Sequence, residues 1–276
     1  MIVFPNCKIN IGLRILEKRK DGYHNIETVF YPLALTDILE IIEYKDSQKT
    51  SSIPFSRSGF FIDGDISNNL CIKAYKLLKR DFPKLPHVQM HLHKSVPTGA
   101  GLGAGSADAA FTLTSLSQKF SLGLSQKDLM AYALELGSDC PFFILNKPCY
   151  ATGRGEILEP IDLDLSAYKI ILVNPGIHIN TGRAFMNVSS SKPDESIKDI
   201  LKKPVERWKD YLLNDFEKSV FKEYSEIVDI KDQLYIAGAI YSSMSGTGST
   251  LFGIFPADKP IQLTFPTHYF VKELIG

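Results

Sequence analysis

Residues 96–110 read VPTGAGLGAGSADAA, with glycine at four of the seven positions from 99 to 105 and a run of small helix formers behind them. Such a stretch joins a strand to a helix through a backbone that side chains scarcely encumber. Three ligand-binding mechanisms use loops of this kind. A Walker A loop needs a lysine directly after its last glycine, and none stands here. Gly99, Gly101 and Ala104 do match the spacing of a dinucleotide fingerprint. The preceding segment HVQMHLHKSVP, however, is half polar and ends in Pro97, whereas a central parallel strand is nearly all apolar. Residues 118–121, QKFS, also lack the acid that such a site places about 20 residues downstream. The third mechanism wraps backbone N–H groups around a nucleoside triphosphate at a helix N-terminus, where the dipole and unsatisfied amides favour anions. A tight turn without a ligand is the plain alternative, and it needs fewer glycines than this loop holds.

Around the loop the pattern alternates between strand and helix. In residues 7–15, CKINIGLRI, the residues Cys7, Ile9, Ile11, Leu13 and Ile15 fall on one side and Lys8, Asn10 and Arg14 on the other, which predicts a half-buried strand. Asp21-Gly22 marks a hairpin turn, and TVFYPLAL with DILEII returns as β structure. Residues 46–60 form a polar excursion. Leu70, Ala74, Leu77 and Leu78 recur at helical spacing behind Asn68-Asn69. Val88, Met90 and Leu92 then alternate with Gln89, His91 and His93 in the strand that enters the glycine loop. Beyond the loop, Ala109, Ala110, Leu113 and Leu116 make a helix face whose start Ser106 or Asp108 can cap. Ser125 with Asp128 caps a second helix, Gly137 ends it, and the apolar PFFIL after the turn GSDCP reads as a strand. A further strand starts near residue 169. It is followed by a polar loop at 188–204, helical stretches around VERWKDYLLNDFE, and a second glycine loop, MSGTGSTLFGIF.

With 276 residues, 44% of them hydrophobic, the chain can bury a sizeable core. Thirty-one basic side chains balance thirty-one acidic ones, so no net charge draws nucleic acid. The cysteines Cys7, Cys71, Cys140 and Cys149 lack C-x-x-C pairing, which predicts reduced, buried thiols rather than a zinc site. MIVFPNCKIN turns polar too soon for a signal peptide, and no run reaches ~18 apolar residues. These features predict a cytoplasmic protein with no membrane or nucleic-acid partner.

The glycine loop resembles the P-x-G-x-G-L-G-S-S-A/G loop of the galactokinase, homoserine kinase, mevalonate kinase and phosphomevalonate kinase superfamily. CKINIGLRILEKRKDGYHNIETVF, LGSDCPFF, ATGRGEILEP, NPGIHINTGRAF, NDFE and MSGTGSTLFGIF are similar, in order, to motifs of its branch that phosphorylates a cytidine diphosphate-linked methylerythritol. The resemblance runs from residue 7 to about 255. It implies a two-domain α+β fold, an N-terminal ATP-binding domain over 1–159 and a C-terminal domain over 160–276, with the active site in the cleft between them. It also implies transfer of phosphate from ATP to the 2-hydroxyl of that acceptor, a step of the non-mevalonate route to isoprenoid precursors.

Residue by residue, the resemblance makes Asp139 the catalytic base and Lys8 the catalytic lysine, with Asn10 beside it as a substrate-binding residue. Tyr23 and His24 match a cytidine-binding pair, Phe185 a ring stacking on the other face of the base, and Thr181 a residue lining the same site. Lys94, Pro97, Gly99, Ala100, Gly101, Leu102, Gly103, Ala104, Gly105 and Ser106 match the ATP-binding stretch. Ser106 is also placed to reach a phosphate or magnesium, an ion implied because it neutralises the phosphates in transfer; its protein ligands stay open. Taken alone, Lys8 reads sooner as a solvated strand lysine and Asp139 as a turn aspartate, and Phe185 is also open to a core reading. The Ser245-Gly246-Thr247-Gly248 loop reads either as a second wall of the site or as a tight β turn. Ala104 and Ala107 stand where the branch has glycine and serine, so Ala104 needs ordinary backbone angles. Phosphorylation of another small alcohol, a non-catalytic nucleotide-binding regulator and a dinucleotide oxidoreductase are the competing functions. The expected assembly is a monomer or weak homodimer.

Overall fold

The computed structural model describes residues 1–44, 53–61, 64–186, 188, 190 and 194–276. Part of the polar excursion at 46–60, and residues 189 and 191–193 of the loop at 188–204, lie outside them. The chain divides into two compact units that interleave along the sequence. One comprises Met1–Cys7, Leu35–Thr98 and Gly103–Lys147, the other Lys8–Ala34, Gly99–Leu102 and Pro148–Gly276.

In the first unit, four strands pair in the order β1 (Ile2–Val3), β4 (Ile38–Glu43), β6 (Val88–Lys94) and β5 (Phe55–Gly59). Buried and half-buried residues alternate strictly along β6, as its sequence predicts. Leu39, Ile41, Met90 and Leu92 of the sheet share one core with α1 (Leu70–Asp81), α2 (Ala104–Lys119), α3 (Gln126–Leu136) and Cys140. Helix α1 starts at Asn69, whose side chain accepts the Cys71 N–H. Helix α3 opens on a complete capping box from Ser125 and Asp128 and ends at Gly137.

Two sequence expectations change here. PFFIL forms a helix, α4 (Cys140–Leu145), rather than a strand. Pro141 stands in its first turn, where a missing N–H costs nothing, and Asn146 closes it in the left-handed conformation. Helix α2 begins at Ala104 with Gly103 as its cap, so neither Ser106 nor Asp108 caps it. Ala104 is helical, which fits its lack of a positive φ.

The second unit holds two sheets. One runs β2 (Asn6–Lys18), β3 (His24–Thr36), β7 (Cys149–Thr152), β8 (Ile157–Pro160). The other runs β10 (Tyr241–Met244), β11 (Leu251–Pro256), β9 (Tyr168–Asn174), β12 (Phe270–Ile275), so the chain beyond residue 255 does supply a paired strand. Val173, Leu251 and Phe255 pack with Phe216, Val220 of α7 (Glu217–Glu223) and Ile227, Ile230 and Leu234 of α8 (Ser225–Ile236). Two short helices, α5 (Thr181–Met186) and α6 (Ile197–Ile200), complete the unit, α6 standing within the stretch read as polar loop. VERWKDYLLNDFE is less helical than its composition suggests: only Val205–Asp210 winds, as a 3-10 turn, before α7.

Candidate active site

Strand β2 shows what its alternation means. Lys8 and Asn10 are buried, at 3% and 2% exposure, so the strand is buried on both faces rather than half exposed. Their face packs onto polar backbone. Lys8 Nζ donates to Asn10 Oδ1 at 2.5 Å and to the Gly101 carbonyl at 3.3 Å, and it lies 5.0 Å from the centre of the Phe30 ring. Asn10 Nδ2 donates to Thr28 Oγ1, and the Asn10 N–H donates to Ser245 Oγ at 3.1 Å. Ser245 Oγ in turn donates to the Gly101 carbonyl at 2.8 Å. The lysine is therefore held by the Asn10 amide, the Gly101 carbonyl and the Phe30 ring, and Asn10 beside it reaches the second glycine loop through Ser245. That arrangement fixes the position of its charge.

Gly101 is the point of closest approach. Its φ is +80°, and a Cβ there would stand 2.0 Å from the Ser245 carbonyl oxygen. Only glycine meets both demands. The Lys8 N–H donates to the Leu102 carbonyl at 3.0 Å and the Thr250 N–H to the Ala100 carbonyl, so carbonyls of the middle of the loop point into β2 and the 245–250 turn. That turn is braced by the NDFE motif. Asn214 Nδ2 donates to the Met244 and Gly246 carbonyls, Glu217 accepts the Met244 N–H, and Asp215 accepts the Ile15 N–H. Burial pushes the Asp215 carboxyl above its ordinary range.

A second cluster forms at the hairpin after β2. The His24 and Phe185 rings stack with centroids 5.2 Å apart and planes 19° off parallel, and Phe216 meets Phe185 edge-on. Tyr23 is 54% exposed and carries the Arg154 guanidinium 4.7 Å from its ring centre. Arg154 is itself steadied by Glu156. Thr181 Oγ1 lies 3.3 Å from Thr247 Oγ1. The structure thus brings His24 to Phe185, and Thr181 to the second glycine loop. Arg154 was not among the expected site residues; its only signal was a cation inside the G-x-G-E motif two strands away.

In the first unit, Gly103 has φ +67° and α2 starts behind it with no side-chain cap. The helix runs 16 residues and opens on backbone donors. Ser106 of its first turn is within hydrogen-bonding reach of the Cys140 thiol, which burial pushes up to about 12. Ala107 is wholly buried and gives its N–H to Gly103, so that position turns inward. Asp139 is half-buried at the N-cap of α4 and makes no capping bond there. Lys94 has 1% of its side chain exposed and pairs with Asp37 and, at 2.8 Å, with Asp108. Its ammonium is engaged by these two carboxylates inside the fold. Among the described residues no group of three or more His, Cys, Asp or Glu side chains could hold a metal ion, and no helix is long and apolar enough to cross a membrane.

Known proteins resemble this chain over its whole length. Residues 69–147 match the GHMP kinases N terminal domain and residues 196–264 the GHMP kinases C terminal domain. A 4-diphosphocytidyl-2-C-methyl-D-erythritol kinase of Bacteroides fragilis is 50% identical over 276 residues, 99% of this chain and 100% of that protein. Its counterpart in Azobacteroides pseudotrichonymphae is 50% identical over 274 residues, covering 98% and 100%. The crystal structure of a 4-(cytidine 5'-diphospho)-2C-methyl-D-erythritol kinase superposes with a TM-score of 0.77 at 29% identity, covering 92% of this chain and 90% of that one.

Proposed function

The chain belongs to the GHMP kinases, and within them to the 4-diphosphocytidyl-2-C-methyl-D-erythritol kinase family; from that premise we propose how its residues divide the work of phosphorylating the 2-hydroxyl of 4-diphosphocytidyl-2-C-methyl-D-erythritol with ATP. It is a small-molecule kinase of isoprenoid precursor biosynthesis. The observation that carries the nucleotide assignment is the uncapped start of α2 behind Gly103, which leaves amide donors at the positive end of a long helix for the triphosphate. Gly99 to Ser106 supply the cradle.

In the transfer, the acceptor oxygen attacks the γ-phosphorus, the bond from that phosphorus to the β–γ bridging oxygen breaks, and ADP leaves. Asp139 takes the hydroxyl proton. Lys8, fixed by Asn10 and the Gly101 carbonyl, stabilises negative charge as it develops on the transferring group. Magnesium, when bound with the nucleotide, neutralises the β and γ phosphates. Ser106 would offer its hydroxyl to the ion, and among the described residues no group of three or more His, Cys, Asp or Glu side chains is placed to cage it. Tyr23, His24 and Phe185 read the cytosine, the exposed tyrosine giving a stacking face and the imidazole a hydrogen bond to the base edge. Thr181 lines the same pocket. We place the enzyme in the cytoplasm as a monomer or weak homodimer; its four buried cysteines, none in a disulfide, suit a reducing compartment.

The deciding assay follows ATP consumption with magnesium, comparing the cytidine-linked acceptor with the same polyol phosphate lacking cytidine. Turnover of the cytidine compound alone is expected. Turnover of a different alcohol in its place would keep the kinase and Asp139 but overturn the nucleobase pocket.

A further inference from the structure

Beside the glycine loop, a set of charges is buried that the proposed chemistry does not use. Asp37 sits between β3 and β4, Lys94 at the end of β6, and Asp108 in the second turn of α2. Their side chains are no more than 4% exposed. Asp37 Oδ1 accepts the Ser95 and Val96 N–H groups at 2.7 and 2.9 Å, and its Oδ2 takes the Lys94 ammonium. Lys94 also donates to Asp108 Oδ2. Asp108 Oδ1 is buried with no hydrogen-bond partner.

Burying two carboxylates with one ammonium is expensive unless the arrangement does something a hydrophobic cluster would not. Here its attachments are the two feet of the loop. Ser95 and Val96 lead into Pro97, and Asp108 lies one turn beyond the amides of Ala104 to Ser106. A loop with four glycines has large conformational freedom of its own, so its ends must be fixed by something outside it.

We propose that Asp37, Lys94 and Asp108 form a positioning clamp that holds both ends of the glycine loop in its nucleotide-binding geometry before ATP arrives. This rests on the reading of that loop as the triphosphate cradle. Lys94 and its partners are positioning residues, acting on ATP only through the backbone. Fixing the cradle in advance spares the nucleotide the work of ordering it, so the clamp acts on ATP affinity and not on the acceptor.

The test compares Asp108→Ala, which leaves the balanced Asp37–Lys94 pair intact, with Asp108→Asn, which keeps an acceptor for Lys94. Asp108→Ala is expected to raise KM for ATP about tenfold, equivalent to about 1.4 kcal/mol, with KM for the acceptor within twofold; Asp108→Asn is expected to restore most of the loss. A folded Asp108→Ala enzyme with unchanged KM for ATP, or with both KM values raised alike, overturns the clamp. A second measurement on the wild-type enzyme covers the case in which the alanine variant does not fold. Hydrogen exchange without nucleotide is expected to show the Ser95 and Val96 amides already protected, and rapid exchange that slows only on adding a non-hydrolysable ATP analogue overturns pre-positioning. Failure of the wild type to bind that analogue at all would instead refute the cradle itself.

Discussion

Single side chains in this protein matter through what encloses them. Asp108 is the clearest case: burial, acting against the Lys94 ammonium and reinforced by the Asp37 carboxylate, pushes its carboxyl up to about 7 from 3.8. Although burial alone would lower it, the ammonium of Lys94 is held above its ordinary value by Asp108 and Asp37, and the buried Cys71 thiol also faces the group. Because the folded state keeps the Asp108 proton over a window in which the unfolded chain has lost it, the group's contribution to stability is full below pH 3.8 and is lost as pH rises through about 7. Urea midpoints measured at pH 5 and pH 8 should therefore fall more steeply in the wild type than in Asp108→Asn, and parallel curves would disprove the linkage. At the catalytic position, Asp139→Asn should lower kcat by roughly 10²–10⁴ while calorimetric binding of an ATP analogue stays near wild type. An unimpaired variant would remove the base assignment. None of the buried cluster was legible from local sequence, because Asp37 stands 57 residues before Lys94 and only the fold makes them neighbours. Lys8 and Asn10 were legible as residues on one side of a strand, but a period of two cannot say whether that side meets water or a second loop.

At the scale of elements, the strongest sequence signals translated directly. The capping box before α3, the Asn69 cap of α1 and the alternation in β6 each combine a local side-chain contact or periodicity with the final burial pattern. PFFIL is a helix and not a strand; a short apolar run carries no period of its own, and Pro141, which suits the first turn of a helix, is the cue that distinguishes the two. The glycine loop is legible in the sequence as the joint between β6 and α2, whereas its contact with Ser245 lies 144 residues away and has no local trace. That contact makes Gly101→Ala informative. A left-handed alanine costs about 1–2 kcal/mol, and displacing the Ser245 carbonyl adds about 1–3 kcal/mol, so the urea midpoint should drop measurably. KM for ATP should rise with it. A variant as stable and active as wild type would mean that the loop does not make this approach in solution.

Over the whole molecule, all four cysteines are buried and none is in a disulfide, with Cys71 and Cys140 held toward the inert thiol form by desolvation. Native protein at pH 8 should leave a thiol-reactive dye uncoloured, and the same protein in denaturant should titrate four thiols; rapid labelling of the native form would contradict this packing. The sequence placed a single cut near residue 160, as a chain read from left to right invites. The compact units instead exchange segments, since residues 8–34 and 99–102 pack with the C-terminal half. This interleaving bears on how the protein is made. By the time Lys147 has been translated, every residue of the first unit exists, yet the β2–β3 hairpin between its segments still waits for strands and helices that are synthesised last. A ribosome-bound intermediate would thus carry one finished unit and an unpartnered apolar hairpin, which is the kind of surface that nascent-chain chaperones cover.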